Sequence, residues 1–138
     1  MKPEAIFLPV SVLALWTSVV LLVTGYRRIR ALKTGRILRR VFKLGESPDV
    51  PPDIAVANRN LMNLLEMPLL FYVVCIALYV TRHVEVGLVW LAWSYVAMRI
   101  VHSFIHLTTN RVVHRFVPFA LSNVVLVSMW FWLLSGLV

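Results

Sequence analysis

Four long apolar runs, separated by short polar segments, divide the chain. They extend roughly over Ala5–Gly25, Asn60–Thr81, Val86–Leu107 and Val112–Val138. Each has about the 20 residues that a helix needs to cross the hydrocarbon of a bilayer at about 1.5 Å per residue. The pattern predicts an all-α integral membrane protein, a four-transmembrane-helix bundle built as one domain over residues 1–138. The first run lacks the basic cluster before it and the small-residue cleavage site after it that mark a signal peptide, so it reads as a retained helix.

Polar side chains interrupt these runs at helical spacing. In "MRIVHSFIH", Arg99, His102 and His106 fall at i, i+3 and i+7, one stripe of a helix. In "NRNLMNLLEMP", Arg59, Asn63 and Glu66 fall at i, i+4 and i+7 and form a second stripe. A stripe of this kind cannot face lipid and is predicted to face protein or a water-filled pocket. Arg99 stands eight residues before Leu107, hence about 12 Å inside the end of its span. His102 and His106 lie nearer the surface. Arg111, His114 and Arg115 open the fourth run, and Arg27, Arg28 and Arg30 close the first. All of the intramembrane charge is thereby placed in one leaflet, whereas the opposite halves of the spans are almost purely apolar.

Composition supports the membrane assignment and orients it. Hydrophobic residues make up 60% of the 138, and charged ones only 14%, with a mean hydropathy of +0.82, values foreign to a soluble domain of this size. The net charge of +8 is concentrated: "RRIRALKTGRILRRVFK", from Arg27 to Lys43, holds eight Lys or Arg and no acid. Such a run next to a span marks the cytoplasmic side and meets anionic headgroups, and is not read as a nucleic-acid site. The segment "TTNRVVHR" between the third and fourth spans is basic too. Both termini are therefore expected outside and both basic loops, the longer over about 27–58, in the cytoplasm. The basic stretch is expected to extend helix one and then turn, or to lie along the surface with Ile37, Val41 and Leu44 against lipid. "GESPDVPP" breaks it, and Asp53 can begin the next helix as an N-terminal acid.

Several readings of the polar residues stay open at this level. Glu66 can neutralise Arg99 or Arg59 and so set the register of a bundle. Yet Arg59, Arg99 and Arg115 outnumber that single carboxylate, which suggests a pocket for an anion that matches the guanidinium fork. His102 and His106, one turn apart, could hold a metal or haem with His114 as a third ligand, but the arginine-rich surroundings repel a cation, and no metal is expected. Cys75 reads as packing; Phe71, Tyr72, Trp90 and Trp93 read as lipid-facing or packing residues, and Trp130, Phe131 and Trp132 as an interfacial belt.

With these residues in place, the chain resembles the MAPEG family, the membrane-associated proteins of eicosanoid and glutathione metabolism, in its bacterial branch. The likeness is carried by R-x-x-x-N-x-x-E at Arg59, Asn63 and Glu66, and by R-x-x-[HY]-x-x-x-Y at Arg99 and His102, with His106 in the Tyr position. Arg115, which opens helix four, and Arg28, after "TGY" and Arg27, complete it. Met67 stands where some relatives have Tyr, and Leu61 replaces a polar residue. The resemblance implies a homotrimer of four-helix protomers that binds glutathione, as thiol co-substrate, between neighbours. It further implies that Arg28, Arg59, Asn63, Glu66, Arg99, His102 and His106 hold glutathione and that Arg115 is catalytic, stabilising the thiolate. The implied activity is a transferase or peroxidase acting on lipophilic electrophiles or hydroperoxides drawn from the bilayer. The alternative is a non-catalytic lipid- or partner-binding protein of the same fold.

Overall fold

The computed structural model describes residues 2–38, 41 and 49–138. A short 3-10 turn, Pro3–Ile6, leads into α1, Phe7–Lys33. Then follow α2 (Pro52–Val80), α3 (Val86–Leu107) and α4 (Val112–Leu137). All four are long and apolar enough to cross a membrane, and the protein is an all-α integral membrane bundle as the apolar runs predict. α3 packs chiefly on α4 and α1 chiefly on α2.

The seams of the bundle are written in the spacing of the buried residues. On α2, Ile54, Ala57, Leu61, Leu64, Pro68, Phe71, Cys75 and Leu78 are buried, at alternating steps of three and four. On α3 the same alternation runs through Leu88, Ala92, Tyr95, Arg99, His102 and His106. This is the knobs-into-holes register of nearly antiparallel helices. Towards the α2–α3 turn the seams are filled by apolar side chains, and Phe71 stacks on Tyr95 with ring centroids 4.4 Å apart. From Arg99 onward the α3 seam becomes polar. In that half the helices are tied by hydrogen bonds: Asn60 Nδ2 donates to Ser103 Oγ at 2.7 Å, and Thr24 Oγ1 lies 3.3 Å from the Ala57 carbonyl. Trp90 and Phe131 are exposed on the outer surface, where lipid is the natural neighbour; Phe71 is fully buried.

At the basic end the expected extension of helix one, followed by a turn, is what forms: α1 runs on past its apolar run through Lys33, and α2 begins at Pro52, ahead of the apolar run that opens near Asn60. Lys and Arg are good helix formers, and cations at a helix C-terminus favour the macrodipole, so the basic charge prolongs the helix. Pro52 at the first position and Asp53 in the first turn start α2, as the sequence proposed for Asp53. The basic segment is thus helix end more than loop. Its turn is made by Gly35, with φ +68; Gly35 N–H donates to the Leu32 carbonyl and Arg36 N–H to that of Ala31, the pairing of a Schellman cap. Ile37 consequently folds back onto Ala31, Val50 and Ile54, and Val41 packs on the same cluster. These two face protein and not lipid; Leu44 lies outside the described residues.

Candidate functional site

At the polar end of the α3 seam, α2, α3 and α4 enclose a pocket of about 420 Å3, a size that takes a small peptide-like ligand. α2 contributes Asn58, Arg59, Asn63 and Glu66, α3 contributes His102 and His106, and α4 contributes Arg115, Phe116 and Phe119. The two stripes read from the sequence therefore converge on one space. They do so because the α2 stripe sits beside the α2 seam while the α3 stripe lies on the α3 seam itself. The α3–α4 connection is only a few residues long, and it returns Arg115 to the level of His106.

Arg115 is held by the α3–α4 turn and by α3. Its Nη1 donates to Asn110 Oδ1 and stands 3.1 Å from His106 Nε2. Its backbone carbonyl lies 2.7 Å from His102 Nδ1. A carbonyl oxygen can only accept, so His102 carries its hydrogen on Nδ1 in this contact. His102 also sits edge-on to His106 at 5.7 Å and beside Phe119 at 5.5 Å. The imidazoles thus act within the protomer as props for the start of α4.

Arg99 does something different from what the stripe suggests. It is fully buried and does not border the pocket. Its Nη2 donates to the Asn63 backbone carbonyl, and its guanidinium lies over the Phe119 ring at 5.4 Å. Nε and Nη1 have no hydrogen-bond partner among the described residues. It lies beneath the floor that Asn63 and Phe119 form. Arg28 is also outside the pocket wall; its Nη2 donates at 2.6 Å to Oδ1 of Asn58, which borders the pocket. Glu66 and Arg59 are exposed on the protomer surface, and among the described residues no ion pair within 4.0 Å engages Glu66. The pair that does form, Arg36 with Asp53 at 3.1 Å, lies elsewhere.

No group of three or more His, Cys, Asp or Glu side chains suited to a metal occurs among the described residues. His114 borders a different groove, with Met98, Val101 and Ile105, and so does not join His102 and His106. The sequence reading missed Asn58, Asn110 and Phe119. For Asn110 a signal existed: an asparagine in a short "TTNR" turn is suited to left-handed backbone, and its φ is +49.

Compared with known families, the chain matches the sequence model of the MAPEG family over residues 6–135. No curated protein and no solved structure matches it.

Proposed function

The chain belongs to the MAPEG family, and from that premise we propose that it is a membrane-bound glutathione-dependent transferase or peroxidase for lipophilic electrophiles or hydroperoxides. The observation that carries this reading is the pocket that gathers Arg59, Asn63, Glu66 and Arg115 in the polar half of the bundle. Glu66 accepts from the α-amino group of glutathione and Arg59 faces a carboxylate, each a charge-assisted contact. Asn63, His102 and His106 add polar contacts, and Arg28 and Arg99 act on the pocket through Asn58 and Asn63. Arg115 holds its charge where the sulfur would sit. A free thiol ionises near pH 8.5, and a neighbouring cation favours the nucleophilic anion at neutral pH. In transfer, the sulfur forms a bond to the electrophilic carbon, the leaving group departs with its electron pair, and the thiol proton passes to water. With a hydroperoxide, the sulfur attacks the terminal oxygen, the O–O bond breaks and the alkoxide leaves with its electron pair, taking up the thiol proton as the alcohol; a second thiol then attacks the resulting sulfenic acid to give the disulfide and water.

A homotrimer belongs to the same proposal. Arg59 and Glu66 are exposed although they sit on a membrane-spanning helix, and a charge left in hydrocarbon costs several kcal/mol. A neighbouring copy that closes the pocket removes that cost. The basic ends of α1 and α3 are proposed to be cytoplasmic, in a bacterial inner membrane, by the positive-inside rule. A second reading, non-catalytic lipid binding, is favoured by the apolar groove of about 520 Å3 between α3 and α4.

Thermal-shift titration of the detergent-purified protein separates the two. Glutathione and glutathione sulfonate are expected to raise the melting temperature, since a ligand at about 100 times its Kd adds about 2.7 kcal/mol. Conjugation of an aryl halide should accompany this. Lipid-dependent stabilisation with no response to glutathione would favour the second reading.

Two substitutions refine the site. Glu66→Gln removes the acceptor charge and is expected to raise KM for glutathione about tenfold, with kcat little changed, from the loss of one charged hydrogen bond. Asn110→Gly keeps the left-handed turn, which glycine adopts freely, but deletes the amide that holds Arg115. The expected result is a fall in turnover of up to about tenfold at an unchanged melting temperature. A parallel loss of stability would make Asn110 a fold residue only.

A further inference from the structure

A second pocket, of about 790 Å3, opens where α1 leaves the apolar layer beside the start of α2 and the α3–α4 turn. α1 sends Val23, Arg27 and Arg30 into it at i, i+4 and i+7, one face of the helix. Arg36, brought round by the Gly35 turn, closes the far side, and Asp53 opens α2 against it. Among the described residues that border it, three guanidinium groups thus share one carboxylate. That carboxylate is already used by Arg36, at 3.1 Å and 3.4 Å. Arg27 Nη1 donates at 2.9 Å to the backbone carbonyl of Asp53, and no carboxylate of a described residue forms an ion pair with it. The Arg30 side chain has no hydrogen bond or ion pair to any described residue. On the membrane side the wall turns apolar, with Val23, Val56 and Leu107.

We propose that this pocket binds the phosphate of an anionic phospholipid. The level decides the ligand class. Leu107 ends α3 and the apolar run of α1 gives way to arginine at Arg27, so the pocket lies at the height of headgroups. Surplus guanidinium forks match phosphate oxygens in pairs. The apolar lower wall receives the glycerol and the first methylenes of a lipid, which a free phosphate does not possess. Of the described residues bordering this pocket, Asn110 alone, which holds Arg115, touches the glutathione assignment; the proposed phosphate contacts do not use it, so this proposal and that one fail independently.

Native mass spectrometry of the detergent-purified full chain tests it, with phosphatidylglycerol, phosphatidylcholine, and soluble glycerol phosphate and inorganic phosphate as separate probes. Phosphatidylglycerol is expected to be retained over phosphatidylcholine, and the soluble phosphates are expected neither to bind comparably nor to displace it. Arg30→Gln, at an exposed position without a partner among the described residues, should weaken retention about fivefold, the value of one interfacial cation. Arg111→Gln removes the same charge from an exposed position outside the pocket and should leave retention unchanged. Equal losses in the two variants would mean diffuse surface attraction and would overturn the site. Soluble phosphate binding as well as the lipid would overturn the lipid assignment. Equal retention of both lipids, each of which carries a phosphodiester, would overturn the preference for an anionic phospholipid.

Discussion

Arg115→Ala is expected to lower the rate of glutathione conjugation by about 10- to 30-fold at neutral pH, because a thiol that ionises near pH 8.5 without help is only about 3% thiolate at pH 7. The effect should fall on kcat, because the contacts proposed for the peptide part of glutathione come from Arg59 and Glu66. The variant is expected to fold. The link from His102 Nδ1 to α4 is made to the backbone carbonyl of Arg115, and truncating the side chain leaves it intact. The pH profile then distinguishes thiolate stabilisation from simple positioning. A cation beside the sulfur lowers the pH at which the thiol ionises. Its removal should therefore leave activity rising up to about pH 8.5, where an unassisted thiol ionises, and the deficit should shrink as pH rises. A deficit that is the same at every pH would assign Arg115 to positioning. Retention of full activity would remove it from the mechanism altogether.

The second large effect is on stability. Phe71→Ala is expected to cost about 2.4 kcal/mol. Phe71 is fully buried and stacks on Tyr95 at 4.4 Å. It stands at the place where the α2–α3 seam is still apolar, one turn from Arg99. Helices in a bilayer do not gain from removing apolar surface from water, so the transfer part of the usual penalty is absent. What remains is the cavity, roughly 100 Å3 at about 24 cal/mol per Å3. Unfolding of the purified protein in mixed detergent micelles measures this, and a loss below about 1 kcal/mol would show that the helices collapse into the space. Phe71→Leu should recover most of the loss, since it refills the hole without aromatic stacking.

The candidate site was legible in the sequence to the extent that helical periodicity carries it. Arg59, Asn63 and Glu66 share a helix face because of their spacing, as do Arg99, His102 and His106. That both faces lie towards one end of the bundle follows from where they fall in their spans. Periodicity does not state how deeply each member of a stripe sits. Arg99 and His102 look equivalent as text, yet Arg99 is beneath the pocket floor, bonded to the Asn63 carbonyl, while His102 is in the wall. The reason is rotational: the α3 seam points at the bundle axis, and the depth at which the helices part to make room depends on Phe119 of α4. Arg28 and Asn58 illustrate the same gap, since a hydrogen bond between residues 30 positions apart has no periodic signature.

Some local features were present in the text and only needed the backbone to express them. Gly35 ends α1 because it alone accepts φ +68 without strain there, and Pro52 with Asp53 begins α2. Ile37 carried the right apolarity but the wrong neighbour, because the turn at Gly35 directs it inward.

By itself, the sequence determined a membrane protein of four helices, the concentration of its charge at one end, and the residue types that face one another there. Length, hydropathy and the 3.6-residue repeat are properties of the chain alone, so they survive any packing. Only the tertiary structure decided that Arg115 is held by Asn110 and His106, that Arg99 supports the site from below, and that Arg27, Arg30 and Arg36 surround a second pocket. Those outcomes depend on the rotation and offset of one helix against another, which the packing of side chains distant in sequence sets.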